Sequence, residues 1–440
     1  MLPNKAISSS TKNSHYWLIL GLLLSVLVFG PATATTVSDA PRLGPPGPGQ
    51  MIAKGHWYYH DSSATLQPLS NALVQLYDSN LNGEEFLGAT FTQSNGYWEI
   101  GPFSSAGPDG KRHLLARVRT ENAERGIWVK TPGGDTYYWQ SATIDCELDG
   151  WVDFGLLKVP NSSANKPAVW VFLTLNQGWA YFPTNPGNIT AVWAPTFDPP
   201  CGMCFDPRSN KILLASDAPS SPDAILHEFA HNVMFNVYGS WLPPVETACG
   251  DHWFTKASGP NCAWVEGWAE FFPLAVFPDN VFSYLGHYEI DLETPTWGTF
   301  DPIQQRPWDN GDRVEGRVAG ALLDIFDTSN EGTDQISDNF GNIWDVVSHV
   351  RNIAFKEFWG SWKSRRHDAS GALGAFYQNT IDYGHTLPPT VLDNATFIRD
   401  VTLPDESAVS PGQALAKTWR VRNSGTSTWD GYKLILLQGD

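Results

Sequence analysis

Five residues constrain this chain more than any others: His227-Glu228-Phe229-Ala230-His231. They lie in a stretch that reads as a helix. Ser221-Pro222-Asp223 supplies an N-cap, a proline at the first helical position and an acid in the first turn, and Gly239 supplies the stop. Residues four apart on a helix share a face, so both imidazoles can approach one Zn²⁺. Glu228 lies beside them and is placed to take a proton from metal-bound water. Ile225, Leu226, Phe229, Ala230, Val233 and Val237 give this helix apolar surroundings.

A catalytic zinc needs a third protein ligand. The segment Trp264-Val265-Glu266-Gly267-Trp268-Ala269-Glu270-Phe271-Phe272 offers one. Glu266 and Glu270 stack on one helix face. Two carboxylates on so aromatic a helix are costly unless paired or bound to metal. Glu266 is therefore expected on the zinc. Glu270, one turn on, is expected to accept a hydrogen bond from the distal nitrogen of a ligand histidine.

These two helices resemble those of the gluzincin zinc peptidases, of the thermolysin and fungalysin kind. Val265-Glu266-Gly267-Trp268-Ala269-Glu270 stands where fungalysins carry a Gly-Glu-Gly-Trp-Ser-Asp-type helix, with Glu in place of the final Asp. The resemblance implies His227, His231 and Glu266 as metal ligands, Glu228 as general base and Glu270 as the orienting carboxylate. The metzincin pattern does not fit, because Met234 and Val237 occupy the places of its Gly and third His. Gluzincins also use a His, Tyr or Arg to stabilise the oxyanion. Arg313 and Arg317, on a helix resembling the one that follows the third ligand, are candidates, with His287, Tyr288, Tyr383 and His385 as rivals. Ile212 to Ser216 reads either as an edge strand for an extended substrate or as a core strand.

Around this block, at 167–388, the 440 residues suggest two or three domains. Lys5 and Lys12, the apolar run Trp17 to Gly30 and the small-x-small site Ala32-Thr33-Ala34 read as a secretory signal peptide, 1–34. A Pro/Gly-rich linker follows at 35–54. Residues 55–160 break into short strand-like segments between turns, as a β-sandwich does. Asn71 to Asp78, Leu87-Gly88-Ala89-Thr90 and Asn95-Gly96-Tyr97-Trp98 resemble the carboxypeptidase-regulatory, transthyretin-like family, whose domains are usually accessories. Asp78, Asn80, Asn82 and Gly83 look like the start of a calcium loop, but Ala89 stands where its bidentate Glu belongs. A hairpin turn is the better reading.

Residues 396–440 contain Lys417-Thr418-Trp419-Arg420-Val421 and Thr428-Trp429-Asp430. They resemble a Trp-containing Ig-like domain named for an autophagy cargo receptor. Such a domain needs about 100 residues, so this part is expected to be incomplete. The expected architecture is multidomain: an all-β sandwich, an α+β zincin-like catalytic domain, then a partial β-sandwich.

The charge balance, 28 basic against 46 acidic residues, disfavours a nucleic-acid partner. Of the five cysteines, Cys249 and Cys262 are the preferred disulfide, and Cys201 and Cys204 pair either locally or with Cys146. The whole reads as a secreted or extracellular Zn²⁺ metallopeptidase acting on peptides or proteins. Its flanking β-domains would serve for attachment to a cell surface or polymer. The alternative is an inactive cell-surface binding protein with a metallopeptidase-like core; the intact set His227, Glu228, His231 and Glu266 speaks for the enzyme.

Overall fold

The computed structural model describes residues 42–81, 83–301, 306–385, 395–404, 407–410, 412–423 and 429. The expected signal peptide, residues 35–41 of the linker at 35–54, Asn82 and Leu387-Pro388-Pro389 lie outside them. The chain divides into two compact units. The larger one carries the N-terminal strands and the motif helices.

Two sheets open the larger unit. In one, Gln50–His60 runs parallel to Gly150–Lys158 and antiparallel to Tyr97–Ser104 and Leu66–Pro68. In the other, Leu73–Asn80 lies between Gly83–Phe91 and Arg112–Arg119, all antiparallel. Alternate residues of Leu73–Asn80 are buried, as a strand with one face on a core requires. Trp57, Val74, Leu76, Trp98 and Leu114 belong to the core. Gln50–His60 begins inside the segment read as linker.

The calcium-like start at Asp78 is used structurally. The Asp78 carboxylate is fully buried, accepts from Arg112 at 2.9 Å and from the His113 N–H at 2.7 Å, and its strand closes in a hairpin pairing Asn80 with Gly83.

A third sheet crosses the boundary expected near residue 160. Its order is Cys204–Asp206, Lys211–Leu213, Ile189–Val192, Ile127–Lys130, Glu121–Asn122. Ile127–Lys130 thus pairs with the motif block rather than with the two N-terminal sheets. Its pattern shows a short strand with Ile127 and Val129 inward. A short alternating run carries no information about which distant strand it will pair with. Lys211–Leu213 is interior, flanked on both sides. The edge is Cys204–Asp206, so of the two readings of Ile212 to Ser216 the core strand holds and the edge strand does not.

Among the described residues, seven α-helices follow in the same unit: α1 Pro167–Tyr181, α2 Pro222–Val237, α3 Pro260–Val276, α4 Glu315–Phe326, α5 Phe340–His349, α6 Phe355–Ser364 and α7 Ala369–Gln378. α2 starts with Pro222 as expected, but Ser221 does not cap it. Its hydroxyl instead donates to the Ser283 carbonyl and accepts from the Leu285 N–H, both at 3.0 Å. Gly239 ends the helix in the left-handed region, with φ +69°.

The smaller unit contains an antiparallel pair of strands, Ala395–Asp400 and Trp419–Asn423. No helix among the described residues is long and apolar enough to cross a membrane.

Candidate metal centre

α2 and α3 pack side by side. On α3 every residue from Cys262 to Val276 is buried. The indole of Trp268 donates to the Ala230 carbonyl of α2 at 3.1 Å, and Phe272 contacts Phe229 edge-on. The aromatic residues around the two acids of α3 therefore fix that helix against the motif helix. This puts Glu266 opposite the two histidines.

His227 Nε2 and His231 Nε2 are 3.1 Å apart. Glu266 Oε2 lies 3.4 Å from the first and 3.1 Å from the second. Three ligands bonded to one tetrahedral zinc at about 2.05 Å stand about 3.3 Å from one another. The three observed separations match that spacing. Two ring nitrogens facing each other cannot both donate and both be satisfied, whereas a cation between them accepts both lone pairs. The donor set, two imidazoles and one carboxylate, is that of an open catalytic zinc site. On geometry and chemistry the residues fit the metal.

Glu228 is buried beside them, and burial pushes its carboxyl up against the opposing pull of both histidines. Burial acts on Glu266 in the same direction, but there the two imidazoles win and hold it well below the carboxylate range.

Glu270 departs from expectation. It is one turn beyond Glu266, yet no hydrogen bond among the described residues joins it to either histidine. His227 Nδ1 is buried without a partner. Glu270 faces Glu315, the first residue of α4. Burial and that neighbouring carboxylate drive its carboxyl well above the ordinary range. α4 comes this close because α3 has Gly267 at the crossing. A Cβ there would stand 2.7 Å from Val318 Cβ and 2.8 Å from the Glu315 carbonyl oxygen.

Glu315 in turn accepts from His252 Nδ1 at 2.9 Å. The bond to Glu315 raises the His252 imidazole to about 9, with burial opposing and Glu266 and Glu228 adding to the rise. All these groups line one cleft of about 520 Å³. The edge strand contributes Cys204 and Phe205 to its wall, and Tyr284 lies across it.

Residues 174–380 match the family model of the Mycolysin C-terminal domain. The match spans slightly less than half of the chain, contains both motif helices and relates this block to peptidases. No curated protein matches the chain. Among solved structures, a 9R-lipoxygenase from Cyanothece PCC8801 aligns at 18% identity over 48% of this chain and 30% of its own, with TM-score 0.20. An (S)-allantoin synthase aligns at 18% identity over 25% of this chain and 41% of its own, with TM-score 0.17. The chain spans less than half the length of either, and neither likeness extends to the fold.

None of the six oxyanion candidates lines the cleft. Arg317 is buried against Asp309 at 3.0 Å and donates to the Trp297 carbonyl. Tyr383 donates to Asp312 at 2.7 Å, His385 stacks on Tyr377, and Arg313 is exposed. Tyr288 packs edge-on against Trp253 and His287 is exposed.

The residue that sequence reasoning missed is His252. It follows a short 3-10 turn, where no helical or strand period marks it. The available signal was its position inside the Cys249–Cys262 loop, since that disulfide forms as expected and ties the His252 segment to α3. Cys201 pairs locally with Cys204, leaving Cys146 as the free cysteine.

Proposed function

We propose that this chain is a secreted zinc metallopeptidase that hydrolyses peptide bonds of peptides or proteins. The observation that carries the reading is the convergence of His227, His231 and Glu266 at metal-ligand spacing with Glu228 buried beside them. His227 Nε2, His231 Nε2 and Glu266 Oε2 would hold the zinc. When bound, zinc acts as a Lewis acid on the scissile carbonyl and acidifies water.

Glu228 takes the proton from the attacking water and passes it to the leaving amine. Its carboxyl, raised by burial, is suited to both transfers. His252, protonated and anchored through Nδ1 by Glu315, offers its other nitrogen as a donor to the negative charge that develops on the carbonyl oxygen. Glu270, whose carboxyl is raised and hydrogen-bonded to Glu315, is a positioning residue that supports Glu315 from behind. Cys204–Asp206 has one strand neighbour, Lys211–Leu213, and the Phe205 N–H donates to Glu228; an extended substrate would pair with the backbone groups of this edge strand that remain.

Residues 1–34 fit export as a signal peptide. The two N-terminal sheets and the strand pair Ala395–Asp400 with Trp419–Asn423 fit accessory elements for spacing or attachment.

The test is elemental analysis together with a peptide-hydrolysis assay. Wild-type protein should contain one zinc and cleave peptides. Glu228→Gln should retain the zinc and lose about 10²–10⁴-fold in rate. Glu266→Ala should lose the metal. A wild-type protein that is full of zinc but hydrolyses nothing would instead fit the inactive binding protein.

A further inference from the structure

A second cluster of acids lies at the other end of α4. Asp324 and Asp327 sit at its C-terminus, Glu331 and Asp334 on the segment that follows, and Glu293 in the loop after the strand Tyr288–Asp291. Asp324 is 1% exposed and Asp334 0%. Ligand oxygens of Asp324, Glu331 and Asp334 all lie within 4.8 Å of one another.

Some oxygens in the cluster are satisfied. Asp324 accepts from Asn379 at 2.8 Å, Asp334 Oδ1 from the Ile336 N–H at 3.2 Å, and Asp327 Oδ1 from the Ser329 N–H at 3.0 Å. The rest meet no N–H or hydroxyl donor: Asp327 and Glu331 face the Glu293 carboxylate at hydrogen-bonding range, and the fully buried Asp334 Oδ2 has no partner. Every charged group that acts on Asp324, Asp327, Glu331 or Asp334 is another carboxylate. Orphaned carboxylate oxygens at such burial cost several kcal/mol unless something positive completes them.

We propose that Glu293, Asp324, Asp327, Glu331 and Asp334 form a calcium site, separate from the zinc centre, that fastens the end of α4 to the segment after it. The donors are all hard oxygens, which exclude a preference for zinc. Five carboxylates, each able to offer one or two oxygens, suit the six to eight oxygens that Ca²⁺ takes in a flexible shell. Mg²⁺ would demand a stricter octahedron and would keep its waters.

The local sequence agrees. Asp327, Ser329 and Glu331 alternate before Gly332, the spacing with which an EF-hand loop begins. Gly332 makes the sharp turn in the left-handed region, with φ +54°. Glu315 and Asp324 lie at opposite ends of α4, about 14 Å apart along its axis at about 1.5 Å per residue. The calcium site would therefore brace the scaffold of the zinc cleft without touching it.

The experiment uses the full chain, replete with zinc, in resin-treated calcium-free buffer. Equilibrium dialysis with ⁴⁵Ca²⁺ measures binding, and thermal melting with and without Ca²⁺ measures its effect. The expected result is one Ca²⁺ per chain and a Tm rise of about 4 °C or more at a hundredfold excess over Kd.

Glu331→Gln, at a half-buried position, should weaken calcium binding by about tenfold or more. In calcium-free buffer the same variant should melt no lower than wild type, because one repelling charge is gone. Asp334→Asn is the second variant and should behave alike. Wild-type protein that binds no calcium at about 1 mM would overturn the proposal. So would undiminished binding in Glu331→Gln, which would place the ion elsewhere. Equal stabilisation by Mg²⁺ would overturn the assignment to calcium.

Discussion

Replacing Gly267 by Ala sets two effects of known size against each other. On an exposed helix Ala is favoured over Gly by about 1 kcal/mol. At the α3–α4 crossing the new Cβ would meet Val318 Cβ at 2.7 Å and the Glu315 carbonyl oxygen at 2.8 Å. Ordinary carbon contacts lie at about 3.5–4.0 Å, so α4 must retreat by about 0.8 Å. Overpacking of this kind costs about 1–3 kcal/mol, which exceeds the propensity gain. The net loss is up to about 2 kcal/mol, or several degrees in Tm.

Gly360 supplies the control. It lies within α6, and a Cβ there would meet nothing within 4 Å. Gly360→Ala should therefore raise Tm by the propensity term alone. Differential scanning calorimetry of both variants decides the matter. If Gly267→Ala is as stable as wild type or more so, the close crossing is not what holds α4 in place. The same variant has a functional readout, because α4 carries Glu315. Its kcat/KM should fall with zinc content unchanged.

His252→Gln should lower kcat by about 10²–10³-fold while zinc content stays constant. The wild-type pH profile should fall on the alkaline side near 9, where His252 loses its proton, and the variant should lack that limb. For stability the folded value lies above the ordinary 6.5, so the His252–Glu315 contact contributes fully below about 6.5 and is lost as pH rises through about 9. Titration with denaturant across pH 6 to 10, wild type against His252→Gln, measures that loss. Glu270→Gln keeps a neutral donor beside Glu315 and should retain zinc and most activity. Glu270→Ala should reduce activity more than it reduces metal content. Equal metal loss in both would return Glu270 to the ligand histidines.

The sequence by itself pointed to His227, Glu228, His231 and Glu266 as one group, and to the two helices that bring them together. Their spacing depends only on helix geometry, and the burial of α3 follows from Trp264, Trp268, Phe271 and Phe272. It also determined the strand periods near the N-terminus and the Cys249–Cys262 bond. Contacts between segments far apart in the chain were decided by the tertiary structure. Ile127–Lys130 joined the third sheet because pairing partners are chosen by the packing of whole layers, which a run of four residues cannot encode. Glu270 turned to Glu315 because Gly267 lets α4 approach, and the sequence does not say which helix will cross at a glycine. His252 reached the cleft on an irregular loop, where no period exists to read. Local geometry is repeated in every turn of a helix and so is legible in one dimension, whereas the neighbours that tune a charged group are set by the folded chain in three.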